Sequence, residues 1–238
     1  MASPIERAFI KFIKGKKKSS YLSLFNNGSK LTELFCNIMT SVHSTKISSG
    51  NKLEDFIYEE YKGLKFNNIK FVDVIKKIEE NPNVTIVFKK VKISKSILEN
   101  NSTYEFKRGK NLHLDFLVYC EGEIYINELK DGYSLDTKKS NDEINEIKMV
   151  KEVFENVTNK KCYASLILWT CADLKDASIK SNEAKDYIVI GRDFATKLDV
   201  DYDTIEYNRM TYNEGNDEFL ENKILEMSDI INEKREKK

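Results

Sequence analysis

The feature that most constrains the fold is a pair of strand-like segments separated by only two residues. The segments run from Leu112 to Cys120 and from Glu123 to Lys130, and both are rich in apolar residues. Only Glu121 and Gly122 lie between them. A connection of two residues joins antiparallel strands as a β-hairpin, and glycine suits the second position of such a turn, whereas glutamate is not favoured at the first. The two segments therefore predict a β-hairpin.

The short turn also predicts the register of this hairpin. If Cys120 faces Glu123, the numbers of paired residues sum to a constant, and Asp115 falls directly opposite Glu128. Strand side chains alternate between the two faces, so three further pairs share the face of these carboxylates. These pairs are His113 with Lys130, Leu117 with Ile126, and Tyr119 with Ile124. One end of that face is charged and the other end is apolar.

The charged end of this face predicts a cation site. Two carboxylates opposite each other repel, and partial burial strengthens the repulsion, so a divalent cation would compensate both. Oxygen ligands without an accompanying cysteine or paired histidine favour Mg²⁺ over zinc. Lys130 lies two residues beyond Glu128, where its ammonium group can contact the same water or a phosphate. We therefore expect Asp115 and Glu128 to bind Mg²⁺, with Mn²⁺ as a substitute.

The rest of the chain predicts a compact α/β core. A loop is expected from Ser41 to Gly50 within an otherwise helical N-terminal segment, followed by a helix with Asn51 as N-cap and Glu54 as capping-box partner. The other expected elements are a strand from Val84 to Phe88, a helix with a capping box at Ser140 and Glu143, a buried strand from Tyr163 to Trp169, a strand from Tyr187 to Ile190, a short helix from Arg192 to Leu198, and a charged helix from about Asn216. The core order is helix, strand, strand, strand, helix, strand.

The hairpin carries the pattern Asp-x12-Glu-x-Lys at Asp115, Glu128 and Lys130. This pattern resembles the signature of the PD-(D/E)XK nuclease superfamily, and the core order resembles the αβββαβ arrangement of that superfamily. The resemblance implies a restriction-endonuclease-like α/β fold, with a mixed central sheet flanked by helices and additional N- and C-terminal helices. It also implies that the backbone carbonyl of Leu129 is a metal ligand and that Lys130 orients or activates the attacking water. Leu114 stands where a proline often precedes the aspartate.

Glu54 is a fourth candidate catalytic residue. Restriction enzymes of this superfamily often carry a glutamate on the helix before the first strand, and the segment SSGNKLEDFI around Glu54 is similar to that element. The alternative interpretation is a capping-box glutamate with no role in the site.

The resemblance also implies contacts with DNA. The segment after Lys130 is similar to the loop that leads from the active site of many restriction enzymes to a DNA-contacting helix, and a helix N-terminus favours phosphate. The candidate DNA-binding residues are Lys138, Lys139, Ser140, His43, Lys107 and Arg108. Base readout is expected from the Ser41–Gly50 loop, the Lys107–Lys110 stretch or the segment from Tyr202 to Asn213. Helix capping and ordinary solvated surface are the alternatives for the basic clusters.

Composition indicates a globular protein and argues against membrane-spanning, fibrous and disordered classes. With 238 residues, 40% hydrophobic and 33% charged, the chain is typical of globular proteins and unlike fibrous or disordered ones. No apolar run approaches the roughly 20 residues of a membrane span, and the N-terminal basic cluster follows the apolar residues, which is the reverse of a signal peptide. The four cysteines are widely spaced and are expected to be reduced. The formal net charge of +0 argues mildly against a nucleic-acid partner.

The resemblance implies a type II restriction endonuclease that acts as a homodimer on a short palindrome in double-stranded DNA and leaves 5′-phosphate ends. A single domain is expected over residues 1–238, with the catalytic core at about 48–170 and DNA-contacting or dimerisation elaborations at about 1–47 and 171–238. We expect a cytoplasmic protein, bacterial or virus-encoded, with a cognate DNA methyltransferase as functional partner. The alternatives are a structure- or end-specific repair or recombination nuclease of the same superfamily, and a catalytically silent DNA-binding protein.

Overall fold

A computed structural model describes residues 2–15, 19, 21, 29–106, 109, 111–132, 134–135, 137–173, 175, 178–179 and 182–236. The chain separates into two compact units. Unit 1 comprises Met1–Leu53 and Asp203–Lys238, and unit 2 comprises Glu54–Tyr202. None of the helices in the described ranges is both long and apolar enough to cross a bilayer.

The helices and strands follow one another in this order: α1 (Pro4–Lys14), α2 (Lys30–Glu60), β1 (Leu64–Asn67), α3 (Phe71–Glu80), β2 (Ile86–Ser94), α4 (Lys95–Asn101), β3 (Asn111–Cys120), β4 (Glu123–Lys130), β5 (Ser134–Leu135), α5 (Thr137–Thr158), β6 (Cys162–Leu168), β7 (Ser178–Ile179), α6 (Asn182–Lys185), β8 (Ile188–Ile190), α7 (Gly191–Leu198), α8 (Tyr202–Asn213) and α9 (Asn216–Glu236).

Unit 2 contains a six-stranded mixed sheet in the order β1-β2-β3-β4-β6-β8. The pairs β2–β3 and β3–β4 are antiparallel, whereas β1–β2, β4–β6 and β6–β8 are parallel. Strands β5 and β7 form a separate parallel pair. The expected mixed central sheet flanked by helices is therefore confirmed.

The main core of unit 2 lies on one face of this sheet, beneath α3 and α5. Helix α3 presents Phe71, Val74 and Ile78 at helical spacing, and all three are buried. Helix α5 does the same with its stripe of buried residues, which includes Ile144, Ile147, Val150, Val153 and Phe154. Strand β6 is buried on both faces at its end, where Leu166, Ile167 and Leu168 are all inaccessible to solvent, as the apolar run predicted.

Unit 1 is helical in the residues described. Helix α1 packs against α9, and a small core forms from Phe9, Leu34, Ile38 and Ile230. Helix α1 begins with a capping box in which the Ser3 hydroxyl accepts the N–H of Glu6 and the Glu6 carboxylate accepts the N–H of Ser3. None of the four cysteines, all of which lie in the described ranges, forms a disulfide bond.

The hairpin register is confirmed over most of its length. Glu121 and Gly122 both have positive φ, 52° and 84°, which is typical of a type I′ turn. The paired residues are Cys120 with Glu123, Tyr119 with Ile124, Val118 with Tyr125, Leu117 with Ile126, and Phe116 with Asn127. The ladder then ends, so the predicted backbone pairing of Asp115 with Glu128 is wrong, although both residues lie just beyond the last pair. The predicted pairing of His113 with Lys130 is also wrong, because the β3–β4 ladder contains no pair beyond that of Phe116 with Asn127.

A break in alternation accompanies the end of this ladder. The core side chains of β2 are Ile86, Phe88, Val91 and Ile93, and those of β3 are Leu112, Leu114, Leu117 and Tyr119. Regular strands place every second residue on one face, yet each set contains one step of three. The β2–β3 ladder pairs Lys89 with Phe116 and Val91 with Leu114 but leaves out Lys90 and Asp115 between them. Lys90 has φ 54°, so the backbone of β2 is irregular where β3 carries Asp115.

Two of the expected helix starts are wrong. The segment from Ser41 to Gly50 is not a loop, because α2 runs through it without interruption, and Asn51 therefore caps nothing. The hydroxyls of Thr40 and Ser41 donate to carbonyls four residues earlier, so polar side chains that favour loops are satisfied inside the helix. Helix α5 begins at Thr137 and not at a capping box formed by Ser140 and Glu143.

The observed strand boundaries differ from the predicted ones by less than the helix boundaries do. Strand β2 begins at Ile86 rather than Val84 and continues to Ser94, beyond the expected end at Phe88. The elements that were not predicted are β1, α3, α4, β5, β7, α6 and α8. The hairpin strands, β6, β8, α7 and α9 lie within a few residues of their expected positions.

Gly191 allows α7 to approach β6. A Cβ at Gly191 would clash with the carbonyl oxygen of Trp169 and lie 2.8 Å from its Cα, and Trp169 is fully buried. We expect Gly191→Ala to lower the free energy of unfolding by about 2 kcal/mol, because backbone must move to admit the methyl group. Gly50→Ala is the matched control. Gly50 is inside α2 with nothing near its added Cβ, so this change should stabilise by roughly 0.5–1 kcal/mol. Urea denaturation measures the free energy of unfolding of the two variants. Equal stability of Gly191→Ala and wild type would contradict the packing argument.

Candidate functional site

Asp115 lies on β3 at the point where β3 and β4 separate. Its side chain is partly buried, and its Oδ2 accepts the backbone N–H of Leu129 at 2.9 Å. The regular β3–β4 ladder ends at the neighbouring residue Phe116, which pairs with Asn127. Beyond that pair, the bond from Leu129 holds the Asp115 side chain against the backbone of β4. The diverging strands therefore leave a carboxylate between them, without a backbone partner directly opposite.

Glu128 and Lys130 project from β4 with one residue between them and so share a face. Lys130 Nζ lies 3.0 Å from Glu128 Oε1 and 2.9 Å from Glu143 Oε1. The Glu143 side chain belongs to α5 and is only 7% exposed, against 22% for Glu128 and 23% for Lys130. The ammonium group is thus held between a strand carboxylate and a more deeply buried helix carboxylate.

Glu54 reaches the same site from the C-terminal part of α2. Its residue is buried, and its Oε2 lies 3.5 Å from Nζ of Lys90, the residue at the irregular position of β2. The negative charge of Glu54 acts on Asp115 strongly enough to raise the pKa of that carboxyl. The structure therefore places the charge of Glu54 near Asp115, and Glu54 is not a capping residue, because α2 does not begin there.

The pKa values of these groups are displaced from their ordinary values. Burial raises the pKa of Asp115 to about 6, and the charge of Glu54 adds to this, while the Leu129 N–H and Lys130 oppose it. Burial raises the pKa of Glu128 to about 7, and Asp115 adds to this. Burial lowers the pKa of Lys130, but Glu128 and Glu143 outweigh it and leave that pKa above its ordinary value. The carboxylates are destabilised as anions, and the lysine is stabilised as a cation.

The charges and donors of the site suit a hard divalent cation. Four carboxylates, from Glu54, Asp115, Glu128 and Glu143, share the site with the ammonium groups of Lys90 and Lys130. With every group ionised, two negative charges remain, which is the charge that one divalent cation balances. Burial makes that imbalance costly and favours a bound cation.

The number of ligands distinguishes between cations. Among the described residues, no group of three or more His, Cys, Asp or Glu side chains is arranged to hold a metal ion. A structural zinc site needs such a group, whereas magnesium is held by one or two carboxylates together with waters and phosphate oxygens. Asp115, Glu128 and the backbone carbonyl of Leu129 supply oxygen atoms, which are the ligands that magnesium binds in proteins.

The predicted DNA-binding residues have different positions. Lys138, Lys139 and Ser140 lie in the first turn of α5, because that helix begins at Thr137. His43 is exposed on α2 and belongs to unit 1, not to a loop. Lys107 and Arg108 lie outside the described residues.

Two residues of the site were missed in the sequence. Glu143 was interpreted as a capping residue. Its position directly before Ile144, the first residue of the buried stripe of α5, could have identified it as a residue close to the sheet. Lys90 could have been found from the run IVFKKVKIS, in which two lysines interrupt the alternation of a strand. In a half-buried strand such an interruption indicates a bulge.

The chain matches no family model, no curated protein and no solved structure.

Proposed function

We propose that this protein is a magnesium-dependent endonuclease that hydrolyses phosphodiester bonds in DNA. The observation that carries the proposal is the meeting of Asp115, Glu128 and Lys130 where β3 and β4 separate, with both carboxyl pKa values raised and the lysine pKa raised beside them. Groups displaced in this way by burial and by one another are typical of catalytic sites.

In this proposal Asp115, Glu128 and the backbone carbonyl of Leu129 hold the metal. A bound divalent cation would lower the pKa of a coordinated water and offset negative charge on the phosphate. The Leu129 N–H keeps one oxygen of Asp115 in place, so the other oxygen remains for the ligand. Glu54 adds a third negative charge beside Asp115 and is a further candidate ligand through water.

Lys130 acts in this proposal as a cation and a hydrogen-bond donor. Its pKa is raised by Glu128 and Glu143, so it stays protonated at neutral pH and is unsuited to be the general base. A protonated lysine at this position donates to the attacking water or to a phosphate oxygen and stabilises the negative charge that grows there. This favours orientation of the water over its deprotonation by Lys130.

The same proposal extends to the type of nuclease. We propose a type II restriction endonuclease that recognises a short palindrome as a homodimer, cuts both strands of duplex DNA to leave 5′-phosphate ends, and works in the cytoplasm beside a cognate methyltransferase. A two-fold target is matched by a two-fold protein. The Asp-x12-Glu-x-Lys spacing at Asp115, Glu128 and Lys130 supports this choice.

Incubation of the purified protein with a plasmid of known sequence, with Mg²⁺ or with a chelator, tests the proposal. Discrete fragments that need Mg²⁺ and disappear with Lys130→Ala are expected. Lys76→Ala is the control, since Lys76 lies on the surface of α3 with its side chain 70% exposed. Digestion that starts only at ends or junctions would instead indicate a repair or recombination nuclease. An intact plasmid with every substrate and metal would refute the nuclease proposal.

Glu143→Gln is expected to slow cleavage by about tenfold. Glutamine keeps the size of the side chain but removes the charge that holds the Lys130 ammonium group, and loss of such supporting contacts typically costs 10–100-fold in activity. Glu155→Gln is the control, because Glu155 lies on the same helix and pairs with Lys151 at the surface.

Single-turnover cleavage over a range of pH values measures the effect of Glu143→Gln. Because the pKa of Lys130 is raised partly by Glu143, the fall in rate at high pH should begin at a lower pH in the variant. An unchanged rate and an unchanged pH profile would show that Glu143 does not position Lys130.

A further inference from the structure

Unit 1 contains a cavity of about 580 Å³ that the proposed active site does not use. Arg7 and Lys11 of α1 line one side, and Ser44, Thr45 and Ser48 of α2 line the other. The Tyr212 side chain of α8 completes this group, and its hydroxyl lies 3.0 Å from Oγ of Ser48. Every one of these residues belongs to unit 1.

The polar groups of this cavity are suited to an anion. Arg7 and Lys11 are one helical turn apart, so their cationic groups lie on the same side of α1. Ser44, Thr45 and Ser48 form a matching row of hydroxyls on α2. No acidic side chain lines the cavity among the residues that the structure describes.

Thr45 provides an independent indication of a ligand. The residue is 8% exposed, and its Oγ1 is buried without a hydrogen-bond partner. Threonine and serine inside a helix usually donate to the carbonyl four residues earlier, as Thr40 and Ser41 do in the same helix. Buried hydroxyls are rarely left without a partner, so an unsatisfied one in the wall of a cavity indicates a missing acceptor.

We propose that this cavity is a phosphate-binding site, with Arg7, Lys11 and the Thr45 hydroxyl as donors. Phosphate oxygens accept hydrogen bonds from guanidinium, ammonium and hydroxyl groups, and two cationic side chains balance the charge of a phosphate. The volume is sufficient for a nucleotide and not only for a phosphate ion. The phosphate can come from the DNA backbone, in which case the inference rests on the proposed nuclease function, or from a free nucleotide, in which case it does not.

Binding by the full chain in the presence of a chelator tests this proposal without cleavage. One arm uses a labelled duplex of about 20 base pairs in fluorescence anisotropy at several salt concentrations. The other arm uses dAMP and inorganic phosphate in calorimetry. The variants are Arg7→Ala/Lys11→Ala and, as a charge-matched control, Lys30→Ala/Lys46→Ala, whose two lysines are exposed on α2 outside the cavity.

If the ligand is DNA, the Arg7→Ala/Lys11→Ala variant should bind the duplex at least about tenfold more weakly than the control. Its plot of log Kd against log salt should also be less steep by about 1.8, because two phosphate contacts are lost. If the ligand is a free nucleotide, only the binding of dAMP or phosphate should weaken. Equal losses in the cavity variant and the control, or no loss with any of the three probes, would overturn the proposal.

Thr45→Val separates binding from folding. Valine has the shape of threonine but no hydroxyl, so the variant should bind the phosphate ligand several-fold more weakly. Removing an unsatisfied buried hydroxyl should leave the Tm unchanged or raise it. Unchanged binding by Thr45→Val would show that its hydroxyl contacts no ligand. If the wild-type protein leaves the plasmid intact but binds the phosphate ligand, the nuclease proposal is refuted and the phosphate site is retained.

Discussion

Asp115→Asn is expected to reduce Mg²⁺-dependent DNA cleavage by at least about a thousandfold and, at the same time, to make the metal-free protein more stable. Cleavage falls because a neutral amide is a poor ligand for magnesium and cannot offset its charge. Stability rises because burial and the charge of Glu54 disfavour the Asp115 anion, and asparagine removes that anion while its carbonyl can still accept the Leu129 N–H.

Plasmid cleavage and thermal melting at pH 8 in a chelator measure the two effects. Relief of about 1 kcal/mol should raise the Tm by roughly 2–4 °C in a protein of this size. Asp229→Asn, at an exposed position of α9, should change neither property. A variant that loses both activity and stability would indicate a structural role for Asp115, and a fully active variant would refute its role as metal ligand.

The metal-free protein is also expected to lose stability as the pH rises from about 4 to about 7. The folded-state pKa values of Asp115 and Glu128 are raised, to about 6 and about 7, above the values of an unfolded chain. Between those limits the folded state binds more protons than the unfolded state, so its free energy advantage declines with rising pH. Each of the two groups contributes on the order of 3 kcal/mol to this decline.

Urea denaturation at pH 5, 6, 7 and 8 tests this expectation when wild type is compared with Asp115→Asn/Glu128→Gln. The comparison removes the contributions of groups that do not interact with this pair, and the difference between the two proteins should grow with pH. Added Mg²⁺ should stabilise wild type at pH 8, by about 2.7 kcal/mol at one hundred times its Kd, and much less at pH 5, where protons occupy the ligands. A pH-independent difference, or an equal gain from Mg²⁺ in both proteins, would contradict the assignment.

Local rules were sufficient to predict the hairpin. A two-residue turn ending in Gly122 determines which residues of β3 and β4 pair, and five observed pairs follow the predicted register. The same rules could not show that the ladder stops before Asp115. That ending coincides with the irregular backbone at Lys90 of β2, whose pairing with β3 is a tertiary contact between segments distant in the sequence.

For the helices, local sequence rules gave wrong boundaries. Composition between Ser41 and Gly50 favours a loop, but α2 passes through this segment because burial and side-chain bonds to the backbone outweigh weak propensities. The alternative interpretation of Glu54 as a capping residue is wrong, because α2 does not begin there, and its role at the site stays a prediction. Glu143 became part of the site only when α5 packed on β4, which brought its carboxylate to Lys130.

The irregular positions of β2 and β3 have one more consequence. If Lys90 and Asp115 were both absent, Phe88 and Val91 would be two residues apart, as would Leu114 and Leu117, and the remaining pairs would form a regular ladder. If only one of these two residues were deleted, the part of its strand beyond the deletion would be shifted by one residue relative to the neighbouring strand. The aspartate on which the proposed chemistry depends thus occupies one of two matched insertions in a sheet whose architecture does not require them. The residues that determine the sheet and the residues of the proposed chemistry are therefore largely different. Deleting Lys90 and Asp115 together should remove the proposed chemistry and keep the fold.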